Sequence, residues 1–92
     1  MIDYYYEFAP DTQWQGQTIR YGFQRGLHPE DSPESLRHLH NHFYQRSTRV
    51  WIENANGMTL IRRQGRDVHE RINHGEVTWI KLQAREIGRA HV

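Results

Sequence analysis

The sequence contains no cysteine, so neither a disulfide nor a thiolate metal site can stabilise its fold. It also lacks any run of eighteen apolar residues, which excludes a membrane-spanning helix of the usual kind. Leucine, isoleucine, valine and phenylalanine together make up only about a fifth of the 92 residues. The small number of aliphatic core residues is offset by three tryptophans, five tyrosines and three phenylalanines, because each ring can bury a large apolar area. The composition therefore predicts one small domain with a thin, aromatic-rich core.

Familiar catalytic motifs are missing as well. The chain has no glycine-rich phosphate loop, no nucleophile elbow and no cysteine nucleophile, so it gives no motif-based reason to expect an enzyme or a cofactor. The segment from Met1 to Tyr4 has neither the basic nor the apolar part of a secretory leader. We therefore expect a cytoplasmic protein.

The last seven residues, Glu86 to Val92, match the translation of a widely used short-read sequencing adapter. The adapter's first two bases close the glutamate codon, and its following codons give Ile-Gly-Arg-Ala-His-Val and then a stop. We therefore expect residues 86–92 to be adapter read-through and residues 1–85 to form the domain, with its natural C-terminal continuation left open. A natural polar tail is the alternative.

Two strands and one helix are predicted in the first half of the chain. Residues 2–8 and 18–25 alternate aromatic and polar side chains, which favours a strand pair joined by a long loop. Ser32 followed by Pro33 is typical of a helix start, and the helix is expected to end near Arg46. Its buried stripe is predicted to contain Leu36, Leu39 and Phe43.

A hairpin is predicted over residues 48–64, with a two-residue type I′ turn at Asn56-Gly57. That turn would place Ile52 opposite Ile61 and Trp51 opposite Arg62. One face, predicted to pack on the helix, would then carry Val50, Ile52, Thr59 and Ile61. The other face would carry Trp51, Leu60 and Arg62, with the Arg62 guanidinium over the Trp51 indole.

The segment 77–83 is ambiguous, because Val77, Ile80 and Ala84 also fit a helical stripe. Its succession of Val, Thr, Trp and Ile favours a strand. The predicted fold class is α+β: an antiparallel sheet of four to six strands, in the order β-β-α-β-β-β, with one helix packed on one face. The opposite face, lined by Trp51, Leu60, Arg62 and Trp79, would be exposed and available to a partner or to self-association.

The net charge of +1 hides an uneven distribution of charge. The first 36 residues hold six acidic and two basic side chains, and the remainder holds ten basic and five acidic ones. All the basic side chains except Lys81 are arginines, whose planar donor groups suit phosphates, carboxylates and aromatic rings. The arginines expected around the central hairpin are Arg46, Arg49, Arg62, Arg63 and Arg66.

Together with Trp51, these arginines predict a non-enzymatic binding module that contacts nucleic acid or an acidic protein surface. A solvated charged face with internal ion pairs, such as Glu53 with Arg62, is the alternative.

Seven histidines suggest a second class of function. Glu34, His38 and His42 recur at one-turn intervals of the predicted helix, as the ligands of a hydrolytic zinc site would. Surface imidazoles are the simpler interpretation. The run His69-Glu70-Arg71 holds residue types that suit acid–base cleavage of a phosphodiester, although neighbours on a strand point to opposite faces. A small hydrolase or nuclease, or a fragment of a larger domain, therefore remains an alternative.

Overall fold

A computed structural model describes residues 2–28 and 30–88. Up to the first helix, the elements are β1 (Ile2–Phe8), β2 (Gln13–Trp14), β3 (Gln17–Thr18), β4 (Tyr21–Leu27) and α1 (Glu34–Arg46). They are followed by β5 (Ser47–Asn54), β6 (Gly57–Arg63), β7 (Arg66–Arg71), α2 (His74–Gln83) and β8 (Arg85–Gly88).

The main sheet has six strands in the order β7-β6-β5-β1-β4-β8. Every neighbouring pair is antiparallel except β4 and β8, which run parallel. The predicted α+β class with an antiparallel sheet is confirmed at this level. The predicted element order is matched only in part, because the small hairpin β2–β3, the second helix and the parallel strand β8 are additional.

Helix α1 agrees with its prediction to within one residue and buries Leu36 and Phe43 against the sheet. Its N-cap position is Pro33, not Ser32 as predicted. The Ser32 hydroxyl instead accepts a hydrogen bond from the backbone of His28 at 2.7 Å, so it holds the preceding turn. The core under α1 consists of Tyr4, Tyr6, Phe8, Ile19, Leu27, Leu36, Phe43, Val50 and Ile87.

The strand predicted over residues 77–83 is wrong, because this segment belongs to helix α2. Asn73 caps the helix by accepting the backbone N–H of Glu76 at 2.8 Å. Ile80 is fully buried, and Val77 and Ala84 pack beside it on the sheet. Burial of this helical stripe outweighs the strand preference of the individual residues.

Because α2 leads from the edge strand β7 to the opposite edge strand β8, it crosses the sheet face that α1 leaves uncovered. The one-helix arrangement and the exposed second face were therefore wrong predictions. Trp51 and Leu60 lie buried under α2 with Tyr5 and Met58. Trp79, on α2 itself, is 42% exposed. Self-association through an open sheet face consequently loses its structural basis.

The central hairpin forms, but its register differs from the prediction. Asn54 pairs with Gly57 and Ile52 pairs with Thr59, so the loop residues are Ala55 and Asn56. The Asn54 side chain accepts the backbone N–H of Asn56 at 2.8 Å, which stabilises this alternative turn. Positive φ at both loop residues, as a type I′ turn requires, occurs instead at Gln64 and Gly65.

An irregularity between Val50 and Trp51 shifts the pairing further along the same hairpin. Trp51 pairs with Leu60, but Val50 pairs with Arg62, so β6 carries one extra residue there. Val50 belongs to the core under α1, and Arg62 therefore lies on the α1 side of the sheet. The predicted position of Arg62 beside Trp51 was wrong for this reason.

Candidate functional site

Three of the five predicted arginines form a row across one end of the sheet. Arg49 pairs with Arg63, and Arg63 pairs with Arg66, so they lie on adjacent strands β5, β6 and β7. Like charges directly opposite one another destabilise a sheet unless other groups compensate them. The nearby acidic side chains therefore decide how much of this positive charge is available to a partner.

The charge of Arg49 is neutralised inside the protein. Its Nε and Nη2 atoms donate to the two carboxylate oxygens of Glu7 at 2.6 and 2.9 Å. Tyr21 donates to the same carboxylate at 2.7 Å, and Thr48 donates to it at 3.2 Å. Burial alone would raise the pKa of Glu7, but the hydrogen bonds from Arg49 and Tyr21 outweigh it and lower that pKa. This group stabilises the fold rather than offering a free cation.

Arg63 is likewise paired, with the carboxylate of Glu70. Arg66 has no carboxylate within ion-pair distance among residues 2–28 and 30–88, and it lies on the edge strand. The row as a whole is therefore closer to neutral than the sequence suggests.

Trp51 offers no ring surface to a partner, since it is fully buried. The guanidinium over its ring belongs to Arg49, 4.9 Å from the ring centroid, and not to Arg62 as predicted. The predicted surface of arginines around Trp51 is thus divided between the two sides of the sheet.

The α1 side of the sheet carries a different set of arginines and rings. The Arg62 guanidinium lies 4.8 Å from the centre of the half-buried Tyr44 ring, and its Nε donates to the Ser47 carbonyl at 3.3 Å. Arg46, in the last turn of α1, donates to Nδ1 of His42 at 3.2 Å. These residues form two groups on opposite flanks of α1, since successive helical positions are about 100° apart. Trp14, His42 and Arg46 form one group, and Tyr44 and Arg62 form the other. We call the two groups together the helix-end surface.

Trp14 reaches this surface from the short strand β2. Its ring lies 4.9 Å from Phe43, edge to face, and 5.8 Å from His42. The sequence patterns single out neither residue, because Trp14 falls in the long loop predicted between the first two strands and Tyr44 lies outside the predicted buried stripe of the helix. An aromatic residue inside an otherwise polar loop is the signal that was available, because such a ring needs something to pack on.

The predicted metal ligands do not converge. Glu34 and His38 lie 3.3 Å apart at the exposed start of α1, whereas His42 faces Trp14 and Arg46. Within the part of the chain that the structure describes, no three His, Cys, Asp or Glu side chains are grouped as a metal site would require.

The alternative acid–base set on β7 is also dispersed. His69, Glu70 and Arg71 are exposed, and alternation along the strand turns adjacent side chains to opposite faces. Glu70 is paired with Arg63, and Arg71 donates to the carbonyl of Asn56 at 3.1 Å. These contacts hold the strand ends together and bring no acid–base pair into one cleft.

Comparison of the chain with protein-family models, with curated proteins and with solved structures gives no match. No helix in the described ranges is long and apolar enough to cross a membrane. The function therefore has to be argued from the surfaces of this molecule.

Proposed function

We propose that this domain binds single-stranded nucleic acid through the helix-end surface. The observation that carries the proposal is that Arg46 and Arg62 each contact a half-buried ring, that of His42 and that of Tyr44 respectively. Neither arginine has a carboxylate within ion-pair distance among the described residues. Single strands are bound by cationic side chains that follow the backbone and by aromatic rings on which bases stack.

The helix-end surface suits this role better than the row on the other face. Arg49 and Arg63 are already paired with Glu7 and Glu70, so a phosphate would have to displace a carboxylate there. At the helix end, a phosphate would meet guanidinium groups whose present partners are a ring, a carbonyl and an imidazole. Neutral partners cost less to displace than charged ones.

Asp67 limits the strength that we expect. It lies opposite Arg62 in the register of β6 and β7, and its carboxylate accepts a hydrogen bond from the Tyr44 hydroxyl at 2.7 Å. This hydrogen bond orients the Tyr44 ring, while the carboxylate reduces the local positive charge. Binding is therefore expected to be weak, with a Kd of about 1–100 µM at physiological salt.

The test is a fluorescence anisotropy titration of a labelled oligothymidylate with the full chain at several salt concentrations. If two phosphates contact Arg46 and Arg62, the logarithm of the binding constant should fall with the logarithm of salt with a slope of about −1.4. Binding that does not weaken with added salt would overturn the proposal.

Polyglutamate of matched charge serves as a competitor in the same titration. Because polyglutamate has charge but no bases to stack, it should compete poorly. Equal competition by polyglutamate would assign the surface to an acidic protein segment instead, which would also overturn the proposal.

A further inference from the structure

A second site lies on the opposite side of the sheet, beside α2. It is a cleft of about 420 Å³, between the ends of the central strands and the helix. Its volume is in the range of small-molecule sites. Its lining consists of Asp3, Tyr5, Phe23, Arg25, Glu53, Lys81, Ala84 and Glu86.

Two of the three carboxylates that line the cleft lie directly opposite each other, because Asp3 of β1 pairs with Glu53 of β5. Such a pair of like charges is destabilising in a sheet. Glu53 is stabilised on both oxygens, since Tyr5 donates to one at 2.9 Å and the Lys81 ammonium lies 2.7 Å from the other. Asp3 accepts only the backbone N–H of Gly26, at 2.7 Å, among its hydrogen bonds to described residues. The negative charge of Asp3 is therefore the less compensated of the two.

Arg25 supplies the complementary charge at the same end of the sheet. Its guanidinium lies 5.5 Å from the centre of the Phe23 ring. It has no carboxylate within ion-pair distance in the described part of the chain. Phe23 is stacked on Tyr5 with the ring centres 5.0 Å apart, and both rings contribute to the lining of the cleft.

Burial and the hydrogen bond to Glu53 raise the pKa of Tyr5. The phenol therefore stays protonated and remains a donor to Glu53 at all physiological pH values. The Tyr5–Glu53–Lys81 chain consequently fixes one wall of the cleft. The charged groups that strands β1 and β4 supply to the lining are Asp3 and Arg25.

We propose that this cleft binds a small organic zwitterion of the amino-acid type. Its ammonium group would lie by Asp3 and relieve the repulsion from Glu53, its carboxylate would pair with Arg25, and its carbon chain would lie on Phe23. A simple anion fits less well because it would face Asp3 and Glu53. A metal ion fits less well because no group of three ligands forms among the described residues.

The test is a two-dimensional ¹H–¹⁵N NMR titration of the full chain with free L-amino acids, each at about 10 mM, a concentration that detects millimolar affinity. The proposal predicts that at least one amino acid shifts the amide signals of Tyr5, Gly26 and Ala84. The N-acetyl and methyl-ester forms of that amino acid remove one charge each, and both should bind at least about tenfold more weakly.

Asp3→Asn keeps an oxygen for the Gly26 amide and removes the charge, so it should reduce the affinity at least about tenfold without unfolding the protein. Asp11→Asn, an exposed change in the β1–β2 loop, is the matched control and should leave the affinity unchanged. The proposal is overturned if no free amino acid shifts these amides, if the N-acetyl form binds equally, or if Asp3→Asn binds like Asp11→Asn. None of these outcomes depends on nucleic-acid binding at the helix-end surface.

Discussion

A buried carboxylate, Glu7, and a half-buried imidazole, His40, lie on opposite sides of the same sheet and should make stability depend on pH in different ranges. Glu7 is charged and is held by Arg49 and Tyr21. His40 is partly buried against the rings of Tyr4 and Tyr6. Each therefore gives a prediction at the scale of a single residue.

Glu7→Gln should lower the free energy of unfolding by about 2–3 kcal/mol at neutral pH, because Arg49 loses its charged partner. The pKa of Glu7 is lowered in the folded state, so its contribution is complete above the ordinary value of 4.5 and is lost as the pH falls further. Urea unfolding followed by circular dichroism at pH 7 and near pH 3 measures this difference. A variant that is equally destabilised at both pH values would show that the Glu7 charge is not the cause.

The tautomer of His40 follows from its neighbours. The Tyr6 hydroxyl has one proton, which it donates to the side-chain amide oxygen Oε1 of Gln24 at 2.6 Å. The 2.8 Å contact between the Tyr6 oxygen and His40 Nδ1 must then use a proton on Nδ1. The His40 ring therefore donates from Nδ1 to Tyr6, and Gln24 is oriented by its side-chain amide nitrogen, 3.5 Å from the Leu36 carbonyl.

Burial lowers the pKa of His40 below its ordinary value of 6.5. The unfolded chain therefore takes up this proton first as the pH falls, and stability present above 6.5 is lost below it. His40→Gln should weaken the decrease in unfolding free energy between pH 7 and about pH 5. His38→Gln, on the exposed face of the same helix, is the control and should retain the decrease; identical pH profiles for the two variants would contradict this account.

At the scale of elements, the two helices differ in how well their sequences reveal them. Helix α1 is predictable because Pro33 marks its start and Leu36, Leu39 and Phe43 recur at helical spacing. Helix α2 is difficult to predict from the sequence, because Val77, Thr78, Trp79 and Ile80 each have a residue type that favours strands. The sequence signal that identifies α2 is the pair Asn73 and Glu76. Asparagine often caps the start of a helix, and a glutamate three positions later strengthens that signal.

The burial of Ile80 and Leu82 distinguishes a helix from a strand over residues 77–83. In a strand they would share a face, whereas in α2 Ile80 is fully buried and Leu82 is 77% exposed. Ile80→Ala should therefore lower the free energy of unfolding by about 2–4 kcal/mol, and Leu82→Ala should change it by less than about 0.5 kcal/mol. Thermal and urea unfolding of both variants measure these values. Equal effects of the two substitutions would contradict the helix.

The position of Arg62 shows why the candidate site was only partly predictable. Strict alternation along β6 places Arg62 with Trp51, but one extra residue opposite Val50 transfers it to the α1 side. Such an irregularity depends on the side chains that pack on both faces of the sheet, and the hairpin sequence alone does not identify them. The five arginines lie on α1, β5, β6 and β7, and their division between two faces of the sheet was not predictable from the sequence.

At the scale of the whole molecule, the strand β8 closes one edge of the sheet by pairing with β4. Ile87 reaches the core under α1, and the absence of a side chain at Gly22 makes room for it, since a Cβ there would lie 2.3 Å from Ile87 Cδ1. The origin of residues 86–92 as adapter read-through stays a prediction. Of these residues, 89–92 lie outside the described part of the chain.

The helix-end surface and the cleft beside α2 lie on opposite faces of the sheet and share no residue. The acidic first third of the sequence contributes Asp3 to the cleft, and the basic remainder contributes Arg46 and Arg62 to the helix-end surface. The uneven charge along the sequence thus corresponds in part to two chemically different faces. Substitutions on one face can therefore be tested for their effect on binding without changing any residue of the other face.

Arg62 and Arg63 allow the most direct test of the proposed function, because these neighbours in sequence lie on opposite faces. Arg62→Gln and Arg63→Gln remove the same charge and are compared by anisotropy with a labelled oligothymidylate at low salt. Arg62→Gln should weaken binding by about tenfold, and Arg63→Gln, which loses only the partner of Glu70, should stay within about twofold of the parent protein. Equal weakening by both variants, or a larger effect of Arg63→Gln, would contradict binding at the helix-end surface.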